Sequence, residues 1–297
     1  MFVLAASLSS LSCGTPAVSE DPEPSPAVVD AAALDSTFVA NKVAWARVVA
    51  PTSALPQPIG SYTSGCLAGG IMLPLDGPGY QVMRPTRHRF YGHPSLIAVI
   101  QRLGARAATQ GSQILIGDLS QPRGGPMLFG HNSHQIGLDA DIWLRRLPVG
   151  QLLSLNEREK MPLVSTVNVV AGDLRSEQWS PLYRDLLKFA AETPAIERIF
   201  VNPIIKQALC RTESNRTWLG KLRPWWGHDD HFHIRLRCPP SSSQCKGQKA
   251  VPPGDGCDAE LAQWVHDIMF PKPRKPSGLP RPLVLPEQCQ AVLNATR

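Results

Sequence analysis

Five of the chain's eight histidines stand in two short windows. The first, "HNSHQIGLDADIWL", runs from His131 to Leu144 and sets His134 seven residues ahead of Asp141, with a second aspartate at Asp139. The second, "WWGHDDHFHIRLRC", follows about ninety residues later and holds His228, His231 and His233. Imidazole nitrogens and carboxylates bind divalent metals such as zinc, and a catalytic zinc keeps three protein ligands plus an open position for water. Within "HFHIRLRC", His231, His233, Arg235 and Arg237 alternate with Phe232, Ile234 and Leu236, which is the pattern of a strand with one polar and one core face. His231 and His233 then project to the same side, about 6.5–7 Å apart at Cα. That spacing suits two neighbouring roles, one metal ligand and one acid/base group. The first window adds a histidine before a turn and an aspartate on the strand after it, with Gly137 free to bend between them. The set His134, Asp141 and His233 around one metal would leave room for a water of lowered pKa. His231 would sit beside that water as general base or as stabiliser of a developing oxyanion.

Each of these residues also has a plainer use. A His-x-His pair on a strand occurs on surfaces and in cores, the His-to-Asp spacing arises by chance, and Asp139 suits the cap of a turn. Trp225 and Trp226 read as core packing or an interface belt rather than a substrate platform. His88, His93 and His266 lie outside the windows and read as structural. Arg235 and Arg237 read either as solvated or as steering an anionic substrate.

The elements that must position the windows are legible from pattern. The stretch "HPSLIAVIQRLGARAATQ" spaces Leu96, Ile97, Ile100, Leu103 and Ala107 as one face of a helix. "QILIGDLS" and "LDADIWL" read as strands, the second with Asp139 and Asp141 on one face. "SPLYRDLLKFAAETP" reads as a helix with Ser180 as N-cap and Pro181 at its first position. "IERIFVN" follows as a strand and "PIIKQALC" as a short helix opened by Pro203. Strands and helices without regular βαβ alternation predict an α+β fold. We expect a small, mostly antiparallel sheet carrying the metal site, flanked by helices and long Pro-rich loops.

The chain has 297 residues, 29 of them proline, and a net charge of +6. Prolines crowd into "DPEPSPAVV" and "PKPRKPSGLPRPLVLP", marking extended ends around a folded middle. The expected organisation is a signal-like segment at 1–13, a flexible tether at 14–55 and a folded domain carrying the metal site at 56–297 with a Pro-rich C-terminal tail. "MFVLAASLSSLSC" resembles the later half of a secretory signal without its basic start, and Cys13 is a candidate lipid anchor. No stretch approaches the roughly 20 apolar residues of a membrane span. The positive charge alone would fit an anionic polymer or simply a basic surface. No basic run is interleaved with aromatics, so nucleic acid is not expected as a partner. Six further cysteines (Cys66, Cys210, Cys238, Cys245, Cys257 and Cys289) lie at loop-like, Pro/Gly-rich positions without a CxxC pair, which suggests disulfides and an oxidising compartment. The alternative is six buried thiols in a cytosolic protein.

"SHQIGLDADIWL" and "WWGHDDHFHIRLRCP" resemble the signature segments of penicillin-insensitive murein endopeptidases, which belong with the lysostaphin-like, D-Ala-D-Ala-metallopeptidase-related zinc enzymes. The resemblance extends through "MRPTRHRFYGHPSLIAVIQRLG", "ILIGDLSQPRGG", "IERIFVNPIIKQALC" and "PPGDGCDAELAQWV", about residues 60 to 290. It implies metal ligands at His134, Asp141 and His233, catalytic histidines at His231 and His228, and one zinc per chain. It also implies the disulfides Cys66–Cys289, Cys210–Cys257 and Cys238–Cys245. Some members hold a second metal with a histidine three residues before the first ligand and a downstream Asp-x-x-His. His131 matches the former, but "VSTVNVVAGDLRSEQW" has no histidine and only Asp173 as a carboxylate near the expected place, so a second metal is not expected. The implied activity is hydrolysis of D-alanyl-meso-diaminopimelyl cross-links in peptidoglycan by an exported, periplasmic enzyme. The alternatives are a D,D-carboxypeptidase or dipeptidase of the same zinc group, and a cell-wall-binding zinc protein without turnover.

Overall fold

Apolar side chains at every second position commit a strand to a sheet covered on one face. The computed structural model, which describes residues 42–272 and 283–296, shows how that face is covered. The signal-like segment with Cys13, most of the tether and the Pro-rich stretch 273–282 lie outside the described residues. Among those described, an eight-stranded sheet forms the centre. Its strands are β1 (Asp76–Gly77), β2 (Tyr80–Val82), β3 (Ser112–Ile116), β4 (Asp139–Trp143), β5 (Leu147–Pro148), β6 (Ile196–Val201), β7 (Leu222–Pro224) and β8 (His231–Leu236). Their order is β7-β6-β8-β4-β3-β2-β1, with β5 paired to β3. Pairing is antiparallel except between β6 and β7 and between β2 and β3, as an α+β fold requires.

Helices α1 (Pro94–Ala108) and α2 (Pro181–Glu192) cover one face of this sheet. His93 caps α1 by accepting from the Ser95 N–H, and Ser180 caps α2 by accepting from the Leu182 N–H; each helix has proline in its first turn. From α1, Leu96, Ile100 and Leu103 join Leu186 and Leu187 of α2 in one core with Ala140, Ile142, Phe232 and Ile234 of the sheet. Each such fully buried large apolar side chain contributes about 1.5–3 kcal/mol. The core therefore fixes which way β4 and β8 face. In the β4–β8 register Phe232 lies opposite Ile142 and Ile234 opposite Ala140 on the helix side. The same register sets His231 opposite Trp143, His233 opposite Asp141 and Arg235 opposite Asp139 on the other side. A slip of one residue would drive all of these polar groups into the core.

Helices α3 (Pro203–Thr212), α4 (Ala259–Met269) and the short α5 (Gln288–Asn294) complete the shell. All three disulfides implied by the resemblance are formed. Cys66–Cys289 joins the hairpin of Gln57–Ser61 and Ser64–Ala68 to α5, with Trp45, Ile59 and Val292 packed around it. Trp45 belongs to the stretch expected as a tether, yet it is buried, so ordered packing begins ahead of residue 56. Cys210–Cys257 ties α3 to the turn before α4, and Cys238–Cys245 closes the loop after β8. Helix α4 was not read from the sequence; Asp258 starts it by accepting from the Leu261 N–H. Strand β3 ends with its apolar run at Ile116. A Cβ on Gly117 would lie 2.8 Å from Trp143 Nε1, so only glycine lets the chain turn here and bring Asp118 beside β4. No helix among the described residues is long and apolar enough to cross a membrane.

Candidate metal centre

Strands β4 and β8 place Asp141 and His233 directly across from each other, and the turn before β4 returns His134 to the same spot. That turn needs unusual backbone: His134 (φ +67°) and Gly137 (φ +69°) are both left-handed. A Cβ at Gly137 would fall 2.5 Å from the Leu67 side chain, so the bend is reserved for glycine. Asp141 Oδ1 lies 3.5 Å from His134 Nε2 and 3.3 Å from His233 Nδ1. Asp141 Oδ2 lies 3.5 Å from His131 Nε2. One ligand atom from each of His131, His134 and Asp141 falls within 4.8 Å of the others, a grouping that can hold a metal ion.

Whether the His134, Asp141 and His233 arrangement suits a cation can be decided from hydrogen bonds. His233 Nε2 is 2.9 Å from Asp139 Oδ1, and a carboxylate only accepts, so the proton of the neutral ring sits on Nε2. Nδ1 then turns a lone pair toward an Asp141 oxygen 3.3 Å away, two acceptors facing each other. Burial pushes the His233 pKa down to about 3, which disfavours a proton between them. Both ring nitrogens of His134 and Asp141 Oδ1 are buried without a hydrogen-bond partner. A divalent cation satisfies all three groups at once, and the N, N, O donor set is one that zinc accepts. Burial alone would raise the Asp141 carboxyl and lower His134. The charge of each on the other outweighs burial, holding Asp141 well below the carboxylate range and raising His134.

His231 and His228 stand beside this group. His231 Nδ1 is 2.6 Å from Asp230 Oδ1, which places its proton on Nδ1 and turns Nε2 toward Asp141 Oδ1 at 3.8 Å. Burial lowers its pKa, but Asp141 and Asp230 outweigh that and raise it. His228 is left-handed too (φ +54°) and donates from Nδ1 to the Trp226 carbonyl at 2.8 Å. Burial and the neighbouring His231 push it down to about 4, so it is neutral. The two rings lie 4.8 Å apart between centroids.

Three residues support this group in ways that the sequence did not disclose, and one of them, Asp118, was not singled out at all. Asp139 is fully buried and does more than cap the turn through the His134 N–H: it also accepts from His233 and from Arg235 Nε at 2.6 Å. Arg235 is buried as well, its guanidinium stacked over Tyr62 and Phe200, so it does not steer substrate from the surface. Asp118 accepts from Arg89 at 2.8 Å, Arg87 at 3.2 Å and His131 Nε2 at 3.1 Å. Asp173, the carboxylate weighed for a second metal, is exposed and paired with Arg211 at 2.7 Å. Trp225 and Trp226 are 50% and 44% exposed, grouped with Trp264 beside His228, and so are surface rather than core.

A family model described as penicillin-insensitive murein endopeptidase matches residues 58–294. A protein of that name from Haemophilus influenzae is 43% identical over 276 residues, covering 90% of this chain and 94% of its own. Proteins of the same name from Yersinia enterocolitica and Klebsiella pneumoniae are each 43% identical, covering 84% of this chain and 90% of their own.

Proposed function

Because the chain belongs to the penicillin-insensitive murein endopeptidase family, hydrolases acting on peptide bonds, we propose that it is a zinc enzyme cleaving D-alanyl-meso-diaminopimelyl cross-links between peptidoglycan stems. The observation that carries the zinc reading is the facing pair of acceptors, His233 Nδ1 and Asp141 Oδ1, beside the partnerless His134 imidazole. His134, Asp141 and His233 would hold the ion, with His131 flanking Asp141 from the other oxygen. When bound, zinc would supply Lewis-acid polarisation of the scissile carbonyl and acidify a water.

The protein's own groups handle the protons. His231 keeps its Nδ1 proton on Asp230, so Nε2 is the atom that takes a proton from water and later gives it to the leaving amine. His228, neutral and anchored on the Trp226 carbonyl, has Nε2 free as an acceptor beside that exchange. Asp118 orients His131, and Asp139 orients His233. The three disulfides fit an oxidising compartment, in keeping with an exported protein acting at the cell wall.

Digestion of purified peptidoglycan with and without chelator, read by product mass, tests this. Dimers should become monomers, the reaction should stop with chelator and resume with zinc. Zinc-loaded protein that leaves every cross-linked dimer intact refutes the reading, and trimming of pentapeptide monomers alone would make it a D,D-carboxypeptidase.

A further inference from the structure

Among the described residues only four non-glycine residues take a left-handed backbone: His134 and His228 of the metal centre, and Arg84 (φ +52°) and His88 (φ +52°) at the two ends of a short turn. Such conformations carry a steric cost and persist where surroundings impose them, often at functional sites. Arg84 lines a cavity of about 60 Å³ whose other walls include Asp118, His131, Asp141, Trp143 and His231. That is several times the roughly 10–15 Å³ one water centre needs. The Arg84 guanidinium lies over the Trp143 ring, 5.2 Å from its centroid, and Trp143 is the cross-strand neighbour of His231.

What distinguishes Arg84 is that its guanidinium meets no carboxylate partner among the described residues. The neighbouring Arg87 and Arg89 are both committed to Asp118, and Arg89 also donates to the Phe129 carbonyl. Asp118 thus has its charge answered by two guanidiniums and His131. No carboxylate among the described residues lies within ion-pair distance of the Arg84 side chain, and the guanidinium rests on the indole face of Trp143. A guanidinium fork held on an aromatic ring and opening on a catalytic cavity is the arrangement that grips a carboxylate through two parallel hydrogen bonds.

The geometry points to Arg84 as the residue that binds a substrate carboxylate, the one on the carbon bearing the scissile nitrogen. The assignment rests on the murein reading above. In a D-alanyl-meso-diaminopimelyl link the amide nitrogen is attached to a carbon that also carries a free carboxylate. That group must enter a cavity already holding Asp118 and Asp141, and Arg84 supplies the opposing charge.

The test compares cross-linked peptide dimers in which this carboxylate is free or amidated, using zinc-loaded full-length protein. Amidation should lower kcat/KM of the unaltered enzyme about 10- to 100-fold, mainly through KM. In Arg84→Gln the free acid should lose about as much, and amidation should then matter less than about twofold. Arg84→Lys should keep part of the discrimination, since an ammonium retains charge without the fork. Affinity for both dimers is also measured on zinc-loaded His231→Ala protein, with and without Arg84→Gln, which separates binding from turnover. Equal preference for the free acid in Arg84→Gln and the parent overturns the assignment, as does a parent that ignores amidation. Failure of the unaltered enzyme to cleave either dimer counts against the function instead, while the binding comparison still decides Arg84.

Discussion

His233 Nε2 is hydrogen-bonded to Asp139 Oδ1 at 2.9 Å, and this bond determines which nitrogen of His233 faces Asp141. Asp139 is itself held by Arg235 Nε at 2.6 Å, and Arg235 lies between the Tyr62 and Phe200 rings. The orientation of the proposed ligand His233 is thus set by a carboxylate and a guanidinium on the side of the ring away from Asp141. Replacing Asp139 with Asn keeps the shape and removes the charge. Metal affinity should fall about 10- to 100-fold, measured by competition with a chromophoric chelator. Unchanged affinity would mean that Asp139 serves the fold alone.

His231 and His233 are two residues apart on one strand but should respond differently to removal. His231→Ala should cut turnover by about 10²- to 10⁴-fold while metal content per chain stays the same. His233→Ala should lose the metal. Metal analysis and dimer cleavage on both proteins check this, and loss of metal from His231→Ala would show the two roles reversed.

Cys66–Cys289 spans a sequence separation of 223 residues and anchors the C-terminal helix on the N-terminal hairpin. By loop-closure entropy such a link stabilises by up to about 5 kcal/mol. The Cys66→Ser, Cys289→Ser double variant should show a clearly lower denaturant midpoint, and early exposure of Trp45 should appear in its fluorescence.

Lys206 is 1% exposed and donates from Nζ to the Leu222 carbonyl at 2.8 Å. Burial, reinforced by Arg223, pushes its pKa down to about 8 from 10.5. The unfolded chain then binds more protons than the folded one between those values, so stability rises with pH across that window and is lowest below pH 8. Relative to Lys206→Met, the natural protein should gain up to about 3 kcal/mol between pH 7.5 and pH 10.5. Urea titrations at both pH values test it; a constant difference would show that Lys206 does not titrate there.

The period-two pattern of His231–Leu236 made the central strand and its two faces legible, because the apolar half needs a core wherever the strand pairs. The two caps at His93 and Ser180 are equally local. Asp139 is different. Its sequence position says only that it shares a face with Asp141; its work depends on lying opposite Arg235, a register fixed 96 residues away. Asp118 depends on a turn that exists because Gly117 must clear Trp143. For Trp225 and Trp226 the sequence left core packing and an interface belt both open for a related reason, since composition tells nothing of what covers a side chain; their exposure removes the first. The proposed ligand residues stand out by type and spacing, whereas their supports are ordinary residues given meaning by pairing.

Because one strand carries both the proposed ligand His233 and the proposed proton carrier His231, the gap between them is a property of the pleat. No side-chain exchange on β8 can widen or narrow it. Choice among substrates is thereby left to the loops around this strand, such as the turn at Arg84 or the indole ridge at Trp225 and Trp226, while the strand itself stays a fixed ruler.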